Sequence, residues 1–332
     1  MKQATMKKKI GIDISKAYFD VAYRDDGRVH HAQFSNDKTG FHKLKKWLRR
    51  QGVSAAHFGM EATGRYGWEL AKFLYEEGYT VSIINPKQIK AYGDSWLRRN
   101  KTDAADALLI ADFCQDRLLQ PWQPPAEEVA AIRDMERRIG SLQKMKTMET
   151  NRLKAGKLAK PVELSIKEHI AQLEKAITQM EEAIREIVER HEKLAREIAL
   201  LTSIIGIGEN TAAIIIGEVK DITFFDSPSA LAAYAGVTSR IHQSGDTVRK
   251  KPQMSRVGNA RLRTALYYPT MSAMQHNPAI RALVERLKAK GKPGKVILIA
   301  AMRKLLHIIY GVWSSGQPFD PAYEQQFATS AS

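Results

Sequence analysis

The hydrophobic pattern of the first hundred residues is that of a sheet with helices laid against it. Short apolar runs fall at Ile10–Ser15, Phe19–Arg24, Val29–Phe34, Ala56–Met60 and Tyr79–Ile84, with the length and bounding turn residues of strands. Asp25-Asp26-Gly27 separates the second run from the third, a hairpin signal because these residues tolerate positive φ. Phe41, Leu44, Trp47 and Leu48 recur at helical spacing and predict a helix from about Thr39 to Arg50. A second helix is predicted from the bend at Ala62–Tyr66 to about Glu77, with Gly78 closing it. Three strands followed by alternating helix and strand predict an α/β domain with a mixed sheet. Asn85-Pro86 ends that sheet, and Thr102 is placed to cap a helix opening with Asp103-Ala104-Ala105-Asp106.

From Glu127 onward the pattern is helical. Ile132, Met135, Ile139 and Leu142 keep heptad-like spacing. A longer series follows: Ile170, Leu173, Ile177, Met180, Ile184, Ile187, His191, Leu194, Ile198 and Leu201. Its alternating three-four steps predict a coiled-coil seam, with His191 on it as a packing or register residue. The partner is either the first helix of the same chain or a second protomer. Ile205-Gly206-Ile207-Gly208 predicts a tight turn into Thr211–Gly217, a helix-hairpin-helix-like segment whose leading amides suit a phosphate. Ser227-Pro228 starts another helix ending near Gly236. A turn-rich stretch is expected over Ser239–Gly258, and helical segments at Arg261–Met274 and Lys295–Val312. The expected domains are residues 1–125, coiled-coil and linker helices over 126–200, a mainly helical domain over 201–320, and a flexible tail over 321–332.

Charge changes this picture from architecture to partner. Fifty-two Lys and Arg oppose 36 Asp and Glu, a net +16 that favours a polyanion. The surplus is concentrated: between Arg240 and Lys304 there are 15 Lys and Arg against two acids, Asp246 and Glu285. A shorter basic segment holds Lys87, Lys90, Arg98, Arg99 and Lys101 with Tyr92 and Trp96 interleaved. This composition suits a nucleic-acid backbone and its bases, or else a solvated surface with two anchoring aromatics. Cys114 is the single cysteine, which excludes an internal disulfide, and its apolar surroundings make it a core residue. No run of 18 apolar residues occurs, and Met1–Lys9 leads into a strand rather than a signal-peptide core. A cytoplasmic protein with no membrane span is therefore expected.

Candidate chemistry centres on four acids. Asp13 and Glu61 end two predicted strands, while Asp103 and Asp106 lie three residues apart on one helix face. Together they offer an oxygen-ligand site for two Mg2+ or Mn2+ ions, the arrangement of ribonuclease-H-like nucleases. Candidate phosphate contacts are Arg65, Lys87, Arg98, Arg99 and Lys101, then Arg240, Arg249, Lys250, Lys251, Arg256, Arg261, Lys295 and Arg303. Ser244, in Gln243-Ser244-Gly245, reads by chemistry alone as a turn residue. Tyr234 reads as core, with base stacking as the alternative.

Several motifs in order carry a family resemblance: Gly11-Ile12-Asp13, Glu61-Ala62-Thr63-Gly64, Asn85-Pro86 and Asn100-Lys101-Thr102-Asp103-Ala104-Ala105-Asp106. They are followed by Ile205-Gly206-Ile207-Gly208, Tyr234-Ala235-Gly236-Val237 and Gln243-Ser244-Gly245. Over about residues 8 to 320 the chain resembles the DEDD transposases, or bridge-RNA-guided recombinases. Their founding insertion sequence is numbered one hundred and ten, and the DNA invertase Piv is a relative. The resemblance implies a RuvC-like first domain whose metal tetrad is Asp13, Glu61, Asp103 and Asp106. It implies a helical transposase domain in which Ser244 forms a 5′-phosphoserine link to DNA. It further implies a noncoding guide (bridge) RNA that pairs with donor and target double-stranded DNA, and a tetramer of two dimers joining the two domains across protomers. Asp246, two residues beyond Ser244, departs from the family pattern. The expected function is RNA-guided joining of donor and target DNA by metal-assisted strand cleavage and exchange. The alternatives are a metal-dependent hydrolytic nuclease resembling a Holliday-junction resolvase, which needs only the acids, and a non-catalytic scaffold, which leaves them without purpose.

Overall fold

Sheet geometry in the first part of the chain follows directly from alternation. In the computed structural model, residues 7–62, 64, 66–95, 102–244, 248–254 and 257–321 are described, the backbone alone across 239–244 and 248–254. Two compact units divide the chain, Met1–Pro124 and Pro125–Ser332. The first contains β1 (Lys8–Ile14), β2 (Tyr18–Asp25), β3 (Arg28–Ser35), α1 (Lys38–Arg50), β4 (Ala56–Glu61), α2 (Trp68–Glu76), β5 (Thr80–Ile84), α3 (Pro86–Ser95) and α4 (Asp103–Asp116). The five strands form one mixed sheet in the order β3-β2-β1-β4-β5. β1 is antiparallel to β2 and parallel to β4, and β4 is parallel to β5. Asp26 and Gly27 have φ of 46° and 78°, the positive pair that closes a two-residue hairpin, so Asp25 pairs directly with Arg28.

Ile10, Ile12 and Ile14 of β1 share a core with Phe58 and Met60 of β4, Phe41, Leu44 and Leu48 of α1, and Leu70 and Leu74 of α2. The opposite face of these two strands carries Gly11 and Gly59, which pair across the β1–β4 ladder. A Cβ at Gly11 would stand 2.0 Å from the Ala107 carbonyl oxygen and 2.4 Å from the Ala111 nitrogen. One at Gly59 would stand 2.1 Å from Cys114 Sγ. The glycines form a floor without side chains, and α4 lies directly on it. Cys114 is buried there, and its thiol is pushed up to about 12 by that burial, which makes it a packing group rather than a nucleophile.

The second unit is mainly helical: α5 (Glu127–Lys154), α6 (Lys160–Arg190), α7 (Glu192–Thr202), α8 (Glu209–Val219) and α9 (Pro228–Ala235), a hairpin of β6 (Ser239–Ser244) and β7 (Val248–Met254), then α10 (Ala260–Ala265), α11 (Tyr267–His276), α12 (Pro278–Ala289) and α13 (Gly294–Ser315). α5 and α6 run antiparallel, since Lys146 pairs with Glu174 at 2.8 Å and Glu149 with His169 at 3.4 Å. Ile132, Ile139 and Ile184 are buried in the unit's core, with Ile177 and Met180 packed on it. The first helix of the same chain is thus a partner of the seam. The seam does not continue through His191. There the backbone turns extended, at φ −124° and ψ 97°, and the exposed ring donates from Nδ1 to the Ile187 carbonyl at 2.8 Å. His191 closes the end of α6 instead of packing in register, and Leu194 and Leu201 enter the core from a separate helix.

Three further local features govern this unit. Gly206, at φ 105°, turns α7 into α8, and a Cβ there would meet the Pro269 carbonyl oxygen at 2.9 Å. Ser227 Oγ accepts from the Ala230 amide at 3.2 Å to open α9, and Gly236 ends it at φ 73°. Where a turn-rich stretch is expected over Ser239–Gly258, Ser239–Ser244 and Val248–Met254 pair as antiparallel strands, and Arg261–Met274 is split between α10 and α11. Pro269 has no N–H to continue the helical ladder from α10, which accounts for the split. α13 is long and apolar enough to cross a membrane by length and composition. Its Met302, Leu305, Leu306, Ile309 and Trp313 are buried in the unit's core, a sufficient reason for that hydrophobicity.

Candidate active site

The ladder sets the first half of the acid site. Ile12 pairs with Met60, so Asp13 and Glu61 come one residue later on adjacent parallel strands, on the face that α4 covers. The second half comes from α4 itself. Thr102 Oγ1 accepts from the Ala105 amide at 3.2 Å, which starts the helix where Asp103 and Asp106 fall in its first turn. Ala107, next to Asp106, rests on Gly11, two residues before Asp13. The close helix–sheet approach therefore gathers acids from three elements.

Electrostatics records that gathering. The Asp13 carboxyl is raised to about 6, first by burial and then by the charges of Asp106, Asp103 and Glu61, against the lowering effect of the Ile14 amide. A carboxyl that resists ionisation among three others marks a place short of positive charge. Nearby acids are compensated differently. Asp20, the cross-strand partner of Asp13, accepts from His31 Nε2 at 2.7 Å and Gln33 Nε2 at 3.0 Å. Asp112 of α4 takes Arg24 Nε at 2.9 Å and Nη2 at 3.3 Å. The all-oxygen donor set of Asp13, Glu61, Asp103 and Asp106 fits a hard divalent cation. Among the described residues, however, no three metal-ligating side chains stand close enough to hold an ion. The acids are gathered without being closed into a coordination shell. Asp20 was not singled out from sequence; the β1–β2 register that sets it opposite Asp13 is the signal for it.

The basic candidates are spread over both units. Lys87 is exposed at the start of α3. Tyr92 on that helix serves the protein, donating its hydroxyl to Asp116 and setting its ring at 5.3 Å from Phe113. It is an anchoring aromatic, not a base platform. Arg65, Arg98, Arg99, Lys101, Trp96, Asp246 and Arg256 lie outside the described residues. Ser244 is the last residue of β6 and pairs with Val248 at the mouth of the hairpin turn. Arg240, Arg249, Lys250 and Lys251 occupy the same two strands. Arg261 on α10 and Lys295 on α13 are exposed, whereas Arg303 is half-buried midway along α13.

The roots of the hairpin are held by a polar network. Glu218 accepts from Arg137 Nε and Nη2, both at 3.0 Å, and from Asn259 Nδ2 at 2.8 Å. Tyr234 donates its hydroxyl to the Glu218 carbonyl at 2.9 Å, so it is a structural residue. A Cβ at Gly258 would stand 2.3 Å from the Tyr234 carbonyl oxygen, and the Asn259 amide donates to that same oxygen at 2.6 Å. The two ends of the hairpin are thereby pinned to the end of α9.

A mixed sheet bearing acids at two strand ends, joined to a basic helical unit, defines a class of nucleic-acid-processing protein, and comparison with known sequences narrows it. A DEDD profile described as Transposase matches residues 10–158, and one described as Transposase IS116/IS110/IS902 family matches residues 198–285. The pilin gene-inverting proteins of Moraxella bovis and Moraxella lacunata are each 33% identical over 317 residues, covering 95% of this chain and 98% of theirs. An insertion element IS110 protein of 43.6 kDa from Streptomyces coelicolor is 30% identical over 117 residues, 35% of this chain and 29% of its own length. The chain belongs to the IS110/IS902 family of transposases and is related to the pilin gene-inverting proteins.

Proposed function

We propose that this protein is a DNA recombinase that cuts and rejoins donor and target DNA through a covalent 5′-phosphoserine intermediate on Ser244, directed by a guide RNA. The observation that carries the reading is the convergence of Glu61, Asp103 and Asp106 on Asp13. The sheet order and the acids at two strand ends support a RuvC-like, ribonuclease-H-like reading of the first unit. Asp13, Glu61, Asp103 and Asp106 are the residues that would hold Mg2+ or Mn2+, and ions bound there would supply the positive charge that phosphodiester cleavage needs.

The chain's own groups do the rest. Seating of α4 on Gly11 and Gly59 holds Asp103 and Asp106 against the sheet. Ser244 Oγ attacks phosphorus, a serine–phosphate ester forms, and the P–O3′ bond breaks. The hydroxyl proton leaves Ser244 through solvent, and the departing 3′ oxygen gains one. Arg240, Arg249, Lys250 and Lys251 neutralise the nonbridging oxygens. A 3′ hydroxyl of the other duplex then attacks the ester, releasing Ser244, so one phosphodiester replaces another and no nucleotide triphosphate is consumed. The basic second unit contacts backbone, and base pairing with the RNA chooses the site.

Assembly into dimers and a tetramer would bring Ser244 of one protomer to the acids of another. Exposed Met145 and Met148 of α5 and Val162 and Leu164 of α6 lie toward one end of the antiparallel pair and favour a coiled-coil contact between protomers there. The test combines full-length protein, the element's flanking noncoding RNA, donor and target DNA, and Mg2+, quenched in denaturant. A protein–DNA adduct is expected with the native chain and lost with Ser244→Ala, with Asp13→Ala and without RNA. Metal-dependent cutting without an adduct, indifferent to Ser244→Ala, would make the protein a hydrolytic nuclease.

A further inference from the structure

We propose that Tyr267 and Tyr268, at the start of α11, are a stacking platform for the unpaired bases of a DNA strand; this rests on the reading of DNA as the substrate. Tyr268 is 77% exposed, Tyr267 42% and Met271 43%, which puts three large apolar groups on one short solvent face. The two rings stand 5.2 Å apart at an interplanar angle of 87°. Three other tyrosines use their hydroxyls within the fold: Tyr234 donates to the Glu218 carbonyl, Tyr310 to the Phe225 carbonyl and Tyr92 to Asp116. Among the described residues neither hydroxyl of the Tyr267–Tyr268 pair has such a partner. The fold makes no evident use of either.

The platform is presented rigidly. Pro269, Thr270 and Ala273 are buried, and a Cβ built at Gly206 would stand only 2.9 Å from the Pro269 carbonyl oxygen and 3.0 Å from Ala273 Cβ, so even a methyl group would clash there. That seat fixes the other side of the helix outward. Along it Arg261, Thr264, Tyr268, Met271 and Gln275 are all exposed and recur at three-four spacing across α10 and α11.

Charge identifies the occupant. From Val248 to Val284 the chain has seven Lys and Arg and no acid. Aromatic faces embedded in a basic segment without acids complement a polyanion whose bases offer π surfaces. In a duplex those surfaces are covered by neighbouring base pairs, so an unpaired strand is the fitting partner. Strand exchange supplies one in DNA, since a cut strand must leave its own duplex before joining another, and this segment directly follows the hairpin ending β6 at Ser244.

The experiment measures binding without chemistry, using full-length Asp13→Asn protein and oligonucleotides carrying 2-aminopurine. Arms are single-stranded DNA, single-stranded RNA of the same sequence, and duplex DNA. Quenching by stacking is expected with single-stranded DNA. The Tyr267→Ala/Tyr268→Ala variant should bind it at least about tenfold more weakly, while the double Phe variant keeps both affinity and quenching and duplex affinity is unchanged. Native-like binding by the Ala variant would overturn the proposal. So would an effect confined to RNA, or a change of oligomeric state on gel filtration, which would assign the pair to an RNA or protein contact. Failure of the unsubstituted protein to bind any DNA would remove the substrate reading itself, a separate result.

Discussion

Replacing Gly11 by alanine adds a methyl group where α4 already lies. The new Cβ would sit 2.0 Å from the Ala107 carbonyl oxygen, 2.4 Å from the Ala111 nitrogen and 3.0 Å from the Ile110 carbonyl carbon. Ordinary heavy-atom contacts need about 3.5 Å, so helix and strand must part by more than ~1 Å. All three obstructing atoms are backbone, and no rotamer change relieves them. Overpacking of this kind costs about 1–3 kcal/mol, with the upper end expected here. Because Ala107 adjoins Asp106, the shift also carries Asp103 and Asp106 away from Asp13, and a displacement of ~1 Å in a catalytic constellation can cost roughly 100-fold in rate. Gly59→Ala provides the contrast. Its nearest atoms are Cys114 Sγ at 2.1 Å, Ile84 Cδ1 at 3.0 Å and Ile110 Cγ2 at 3.2 Å, all of them side-chain atoms. Trimming Cys114 to alanine opens that space. Urea unfolding of each single variant and of both combinations with Cys114→Ala should show a favourable coupling of about 1 kcal/mol or more between positions 59 and 114. None is expected between 11 and 114. Equal rescue of both glycine substitutions, or a Gly11→Ala protein as stable and active as the native chain, would refute the glycine floor.

Other predictions follow from single interactions. Glu136 of α5 is raised to about 7 by burial and by Glu181, so its stabilising protonated form is complete below about pH 4.5 and lost as pH rises through 7. Glu136→Gln should remove that loss, about 1–2 kcal/mol after allowance for solvent screening; thermal melts at about pH 5 and pH 8 that match the native protein would count against it. Glu218→Ala should cost about 3 kcal/mol, since it strands Arg137 and Asn259 in a half-buried site, and should speed amide exchange across β6 and β7. Unchanged exchange there would show that the network does not pin the hairpin. Thr102→Ala should cost about 1 kcal/mol in urea unfolding, whereas Thr102→Ser should cost much less.

Much of the first unit was legible because its local signals agree. The isoleucines of β1 alternate with positions on the other face, and Asp26-Gly27 fixes a hairpin by backbone chemistry alone. The acids stood out because each ends a strand or begins a helix. What Gly11 and Gly59 do was not legible, since a glycine in a strand says nothing of the helix that will cross it. Heptad spacing ran smoothly past His191, yet capping of α6 by its ring ended the helix there, a local hydrogen bond that hydrophobic periodicity does not record. The β6–β7 hairpin lacked an apolar period: Arg240, His242 and Ser244 alternate with only Ile241 and Gln243, and Pro252 interrupts the second strand. Tyr267 and Tyr268 fall within a predicted helix, and spacing alone does not tell which of its faces stays exposed.

The central claim is that Ser244 in one unit and the acids of the other serve a single strand-exchange reaction. The most direct measurement is mass spectrometry of the trapped adduct after nuclease and protease digestion. The account predicts a nucleotide remnant joined through its 5′ phosphate to Ser244, formed only with Mg2+ or Mn2+ and absent from Asp13→Ala and Asp106→Ala proteins. A remnant on another residue, a 3′-linked remnant, or cleavage with no remnant would contradict it.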